Sequence, residues 1–223
     1  MIDATQTRSA ALKVLLAMSA IVGSTHASAE TSPWSAYLGV GHVQFDASAH
    51  VDAGGPLVPG GDARATPSTG AAFGIIYALD PGWSAELALG LPLTSKLKGA
   101  GTLSSAGQLG DVKYGPAVLS LRRALPRLGP VESYVGAGAN YTLVFASRDG
   151  FVRDLNAKSA WGAVAQVGMK VPLDDLWSIG LDVKKIWIKT TATGDLPAVG
   201  GASAVADVRL NPLVTVIAVH RSF

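Results

Sequence analysis

The chain has no cysteine, so it carries no disulfide framework, no thiolate nucleophile and no cysteine-based metal site. Charge is also scarce: charged residues are 15% of the sequence, the net charge is +2, and nothing gathers into a basic stripe, which argues against a nucleic-acid partner. Beyond its N-terminal region the chain has no run approaching the ~20 consecutive apolar residues of a transmembrane helix. Hydrophobic residues nevertheless make up 48%, and the mean hydropathy of +0.32 is high for a soluble domain. High apolarity without a helical span points to alternating strands. The 26 glycines and 12 prolines, placed mostly at segment ends or inside strand-like runs, disfavour helix further. The histidines His26, His42, His50 and His220 show no paired metal-ligand spacing, and no cofactor is implied. The glycine pairs 54–55, 60–61 and 200–201 lack any phosphate-loop context and read as flexible connections.

At the N-terminus, Arg8 and Lys13 precede an apolar stretch over 14–23, and Ala27-Ser28-Ala29 supplies small residues at the positions a signal peptidase reads. The stretch is too short to span a bilayer as a helix. Residues 1–29 are therefore expected to be a cleaved secretory signal, with one domain over 30–223.

Period-two alternation predicts eight strands, over 34–45, 69–79, 83–93, 111–123, 132–145, 158–171, 177–191 and 206–223. In 132–145, Val135, Ala137, Ala139, Tyr141, Leu143 and Phe145 make one face, and Tyr134, Gly136, Gly138, Asn140, Thr142 and Val144 make the other. The first face suits lipid and the second a crowded interior. Connections alternate in length: 80–82, 124–131 and 172–176 are short, whereas 46–68, 94–110, 146–157 and 192–205 are long. Short turns at one end and long loops at the other is the layout of an eight-stranded antiparallel transmembrane β-barrel of the outer-membrane type, an all-β fold. A soluble lipocalin-like barrel would instead turn Trp83, Trp161 and Trp177 inward. The signal segment, the aromatics near strand ends and a C-terminal Phe223 on the outward parity of the last strand favour lipid outside.

Several segments carry a resemblance over the whole of 30–223. Tyr134-Val-Gly-Ala-Gly-Ala-Asn140-Tyr141-Thr142, Ser159-Ala-Trp161-Gly162-Ala-Val-Ala-Gln166-Val-Gly168, Glu86-Leu-Ala-Leu-Gly-Leu-Pro92 with Lys96-Leu97, Ile188-Lys189-Thr190-Thr191 and Val208-Arg209-Leu210-Asn211-Pro212 together resemble the OmpW family of small outer-membrane proteins, which includes alkane-importing relatives. The resemblance implies an eight-stranded barrel with a narrow hydrophobic channel passing small apolar solutes across the outer membrane. It further implies a monomer whose surroundings are outer-membrane lipid and lipopolysaccharide, and Phe223 as the signal read by the barrel-assembly machinery. Two departures stand out. Arg221 occupies the third position from the end, where such barrels usually carry an aromatic residue, and the connection at 53–61 is apolar and glycine-rich.

Inward parity near the short-turn end collects Glu86, Arg122, Lys170, Asp182 and Lys184, a cluster expected to form a salt-bridged plug in preference to an ion path. Higher on the same strands the inward positions are Ala88, Gly90, Pro92, Ile186 and Ile188, candidates for lining an apolar pocket, with ordinary lumen packing as the competing reading. Pro92 and Pro116 sit in neighbouring strands and Pro212 in the last. Because proline donates no ladder hydrogen bond, Pro92 and Pro116 mark either a bulge or a side opening through which a ligand leaves into the membrane. His220 and Ser222 share a face and could join a carboxylate in a hydrolytic set, but they lie at the short-turn end, and no catalytic residue is assigned. The competing functional reading is a non-transporting barrel serving adhesion or envelope integrity. If Phe223 is both lipid anchor and assembly signal, Phe223→Ala lowers the amount of heat-modifiable folded protein in the outer membrane; an unchanged folded yield at high expression would count against that role.

Overall fold

The computed structural model describes residues 32–53, 61–197 and 201–223. The expected signal segment 1–29, most of the glycine-rich run at 54–60 and Gly200 lie outside the described residues. In chain order the strands are β1 (Trp34–Gln44), β2 (Ala47–Ala53), β3 (Gly61–Ala65), β4 (Ser68–Asp80), β5 (Trp83–Gly90), β6 (Leu93–Gly101), β7 (Gln108–Ala124), β8 (Glu132–Asp149), β9 (Arg153–Ala157), β10 (Ala160–Pro172), β11 (Trp177–Leu196), β12 (Ala202–Leu210) and β13 (Leu213–Ser222). Antiparallel pairing runs β1–β4–β5–β7–β8–β10–β11–β13 and back to β1, which closes a ring of eight strands. No edge remains exposed around the ring.

The long connections are not loops. β2, β3, β6, β9 and β12 prolong the ring beyond its long-connection end, with β12 bridging β11 and β2, and β6 bridging β3 and β7. Asp46 and Pro67 lie near the limits of the expected loop 46–68, whereas Pro92 and Pro212 fall inside the expected strands 83–93 and 206–223, which divide there into β5 and β6 and into β12 and β13. The backbone carries on past these breaks. Asn211 N–H donates to the Asp46 carbonyl at 3.2 Å and Ile186 N–H to the Pro212 carbonyl at 3.0 Å, which keeps β12 and β13 in one register. At the other end the turns are tight, as at Pro81-Gly82, where Gly82 takes the positive φ of 85° that a residue with a side chain adopts only at a cost.

Burial is inverted relative to a soluble domain. Along β11, Ser178, Gly180, Asp182, Lys184, Ile186 and Ile188 are buried while Trp177, Ile179, Leu181 and Trp187 are exposed. Leu119 and Ile217 on the outer face are 61% and 62% exposed, whereas Glu86 and Asn140 are among the most deeply buried side chains. An apolar surface of this extent is incompatible with water and suits lipid. Trp34, Tyr77, Trp83 and Trp177 form an aromatic girdle at the short-turn end, and Tyr141, Trp161 and Trp187 form another higher up. Trp177 and Trp187 are ten residues apart on β11, about 33 Å along the strand. At the usual tilt of about 40° this spans about 25 Å of membrane, the height of an outer-membrane apolar band.

Small residues make room inside. A Cβ on Gly74 would lie 2.7 Å from the Tyr37 ring, and one on Gly168 would lie 2.2 Å from that of Tyr134. Each tyrosine can therefore lie flat across its register neighbour and reach the centre of the bore.

A charged floor beneath an apolar cavity

Glu86 projects from β5 into the bore and is 2% exposed. Its carboxylate accepts from Tyr37 Oη on β1 at 2.7 Å, Gln166 Nε2 on β10 at 2.8 Å and Lys184 Nζ on β11 at 3.2 Å. Arg122 Nη1 on β7 stands 3.5 Å from Glu86 Oε2, an ion-pair separation without a well-aligned hydrogen bond, and its guanidinium lies on the Tyr134 ring, 3.7 Å from the centroid. Tyr134 on β8 donates to Asp182 at 2.7 Å, and Lys184 also pairs with Asp182. Ser120 donates to the Gln166 carbonyl oxygen at 3.2 Å, and His220 from β13 packs on Tyr37 with ring centroids 5.0 Å apart. Two carboxylates and two cations balance in charge, and the network ties six strands of the ring across the bore. In an eight-stranded barrel the interior is only wide enough for side chains, so this layer closes it.

Of the five charges that parity placed together, Glu86, Arg122, Asp182 and Lys184 share this layer. Lys170 does not. It reaches Glu132 at 2.9 Å, one-third exposed at the rim, beside the Arg127–Glu132 pair, because it lies four residues along β10 toward the short-turn end from Gln166, the residue that bonds Glu86. The members missing from the sequence reading of the cluster, Tyr37, Ser120, Tyr134 and Gln166, are neutral. Only the donors needed by a buried carboxylate could have pointed to them.

Above the floor, Val118, Val164, Ile186 and Ile188 pack into an apolar layer. Ile186 and Ile188 also form the base of a cavity of about 160 Å3 that rises into the extension, between Val112 and Tyr114 of β7 and Leu196, Ala204 and Val208 of β11 and β12. Phe45 meets Tyr114 edge to face at 5.7 Å on its wall. A smaller side cavity of about 50 Å3 touches Ala88, Gly90, Leu93, Pro116 and Val118 and shares Ile186 and Val214 with the upper one. Thus Ala88 and Gly90 face the side cavity, not the main one.

Pro92 requires a correction: it is exposed on the outer face and lines neither cavity. The β5–β7 ladder ends at Leu89↔Ala117 and the β6–β7 ladder resumes at Leu93↔Tyr114, so three residues oppose two. One extra residue reverses the alternation, sending Pro92 outward and Leu93 inward. Pro116, in contrast, faces the lumen against Gly90, so the two prolines lie on opposite sides of the wall. The flank toward β4 is thin as well. Between the Thr66→Lys96 and Leu91→Ala71 backbone bonds the two strands are joined by side chains, Ser95 Oγ donating to the Thr66 carbonyl at 2.7 Å and Ser68 Oγ to the Thr94 carbonyl at 3.3 Å, and the Leu93 side chain fills the space over Gly70.

Removing one partner of a buried ion cluster leaves uncompensated charge in the bore. Glu86→Ala is therefore expected to destabilise the folded barrel by about 3–5 kcal/mol, whereas Lys170→Ala at the wetter rim costs about 1 kcal/mol or less. Urea unfolding in detergent micelles measures both; equal unfolding midpoints for the two variants would mean that the Glu86 contacts do not hold the barrel together.

Comparison with known proteins agrees with this geometry. The sequence pattern of the OmpW family matches residues 33–223. The dibenzothiophene metabolism operon protein PahQ of Pseudomonas aeruginosa is 42% identical over 87% of this chain and 90% of its own length. Outer membrane protein AlkL of Ectopseudomonas oleovorans is 32% identical over 66% of this chain and 64% of its own. Among solved structures, OprG from Pseudomonas aeruginosa superposes with a TM-score of 0.79 at 23% identity, covering 86% of this chain and 97% of OprG. AlkL in lipid bilayers superposes with a TM-score of 0.67 at 25% identity, covering 90% and 95%. With a closed eight-stranded ring, a lipid-facing apolar band and a family match over nearly all of the described chain, the protein belongs to the OmpW family and is a β-barrel of the bacterial outer membrane.

Proposed function

We propose that the barrel is a passive route for small hydrophobic molecules, which enter the apolar cavity from the long-connection end and leave sideways into the membrane near Leu91–Leu93. The observation that carries this reading is the order of layers along the bore: an apolar cavity in the extension, apolar side chains at its base and a buried, charge-balanced floor below. An apolar solute gains by leaving water for the cavity, at about 25 cal/mol per Å2 of surface buried. It gains nothing by displacing Glu86, Lys184 and their partners, since breaking up a buried ion cluster costs several kcal/mol. The side cavity at Ala88, Gly90 and Leu93 adjoins the upper one at the junction of β5 and β6, where the ladders on both flanks are interrupted. Leu93 over Gly70 is the inner cover of that interruption. Relatives named for dibenzothiophene metabolism operons point to fused aromatic compounds as the solute class.

Uptake of naphthalene by cells producing the protein, compared with cells lacking it, tests the reading. Wild type should accelerate uptake. Ala88→Leu, which fills the side cavity, should slow it about fivefold at equal folded protein, and Leu93→Ala should leave it equal or faster. If Ala88→Leu transports as well as wild type, the sideways exit is wrong. If wild type matches cells lacking the protein, the channel is wrong and a role in adhesion or envelope integrity takes its place.

A further inference from the structure

On the outer surface, around the upper girdle, β8, β10, β11 and β12 enclose a groove of about 550 Å3. Its floor is Ala139, Gly162 and Ala163, small residues at the point where three strands pass. Trp161 and Trp187 stand as its walls, 70% and 49% exposed, and Trp161 is braced by Tyr141 at 4.6 Å between ring centroids. Ala163 is the register partner of Trp187, so nothing bulky fills the slot between the two indoles.

Two cations cap this slot. Lys189 is the next outward position above Trp187, and the β11–β12 register sets it directly opposite Arg209; both are exposed. Like charges facing each other across a ladder repel. Neither forms an ion pair among the described residues, although Asp207 and Asp46 occupy neighbouring outward positions; Asp207 is bonded instead by Thr191 Oγ1 at 3.3 Å. At the lower girdle the arginines are accommodated differently: Arg123 lies over Trp83 at 5.1 Å and Arg221 over Trp177 at 5.4 Å. No such ring lies under Lys189 or Arg209 among the described residues. The pair is thus a site of positive charge awaiting an anion, directly above an apolar slot and about 25 Å of membrane above the lower girdle.

We propose that this groove binds one molecule of the phosphorylated glycolipid of the outer leaflet, with an acyl chain between Trp161 and Trp187 and a phosphate between Lys189 and Arg209. The level matches, because the groove lies at the long-connection end, which in outer-membrane barrels faces the outside. Charge complementarity matches as well. A phosphate between the two cations replaces their repulsion with two charge-assisted contacts, and the guanidinium offers the bidentate geometry that phosphate accepts.

Native mass spectrometry of the folded barrel in lipid-free detergent provides the test. Wild type, the double variant Lys189→Gln/Arg209→Gln and the variant Trp161→Ala are each mixed with bisphosphorylated lipid A, with its dephosphorylated form and with phosphatidylglycerol. All the changed side chains are exposed, and heat-modifiable mobility verifies folding. Wild type should retain one bisphosphorylated glycolipid about tenfold better than the double variant and about tenfold better than it retains the dephosphorylated form, which is one decade in the dissociation constant. Trp161→Ala should also lose occupancy. Equal retention by wild type and double variant would overturn the proposal. So would phosphatidylglycerol retained as well as the glycolipid, the behaviour of ordinary surrounding lipid, or complete displacement by inorganic phosphate, the behaviour of a bare anion site.

Discussion

A carboxylate buried at 2% exposure needs donors from every direction, and the lower half of this barrel is arranged around that need. Glu86 takes a phenol, an amide, an ammonium and a guanidinium from four other strands, and Asp182 and Tyr134 complete the layer. Each contact is modest by itself, but none of the charges tolerates loss of its partner, so the layer behaves as a unit. The glycines at 74 and 168 follow from it, since a side chain at either position would push Tyr37 or Tyr134 off its carboxylate.

That layer divides the bore into two chemistries. Below it the lumen is polar and rimmed by the Lys170–Glu132–Arg127 group; above it the lining is almost wholly hydrocarbon, continuing well past the membrane into the strands that prolong the ring. The wall at Leu91–Leu93, where three residues oppose two of β7, is covered from inside by the Leu93 side chain over Gly70. The outer groove at Trp161 and Trp187 lies on the lipid-facing side of the same wall.

Alternation of small and large residues was enough to read eight membrane strands, their short turns and the inward parity of Glu86, Arg122, Asp182 and Lys184, because side-chain period and facing are the same property in a strand. The reading failed where one residue changes the count. A single extra residue at Gly90–Pro92 inverted the facing of Pro92 and Leu93, and a bulge of that kind depends on how β5 and β6 each pair with β7, which no local pattern records. The extension strands were hidden for a related reason. Prolines and Asp46 interrupt their alternation, while their pairing partners lie elsewhere in the chain. Lys170 was assigned to the floor by parity alone; its height relative to Glu86 is set by strand stagger around the ring, a quantity fixed only on closure.

On the proposed reading the Glu86 layer is closed and apolar solutes stay above it. Crystals of the folded barrel soaked with 1-bromonaphthalene test this directly through the anomalous signal of bromine. A closed floor gives bromine peaks between Ile188 and Leu196 or beside Ala88 and Leu93, and none on the short-turn side of Glu86. A peak below Glu86, between Tyr134 and the Lys170–Glu132 pair, would contradict it and restore an axial path.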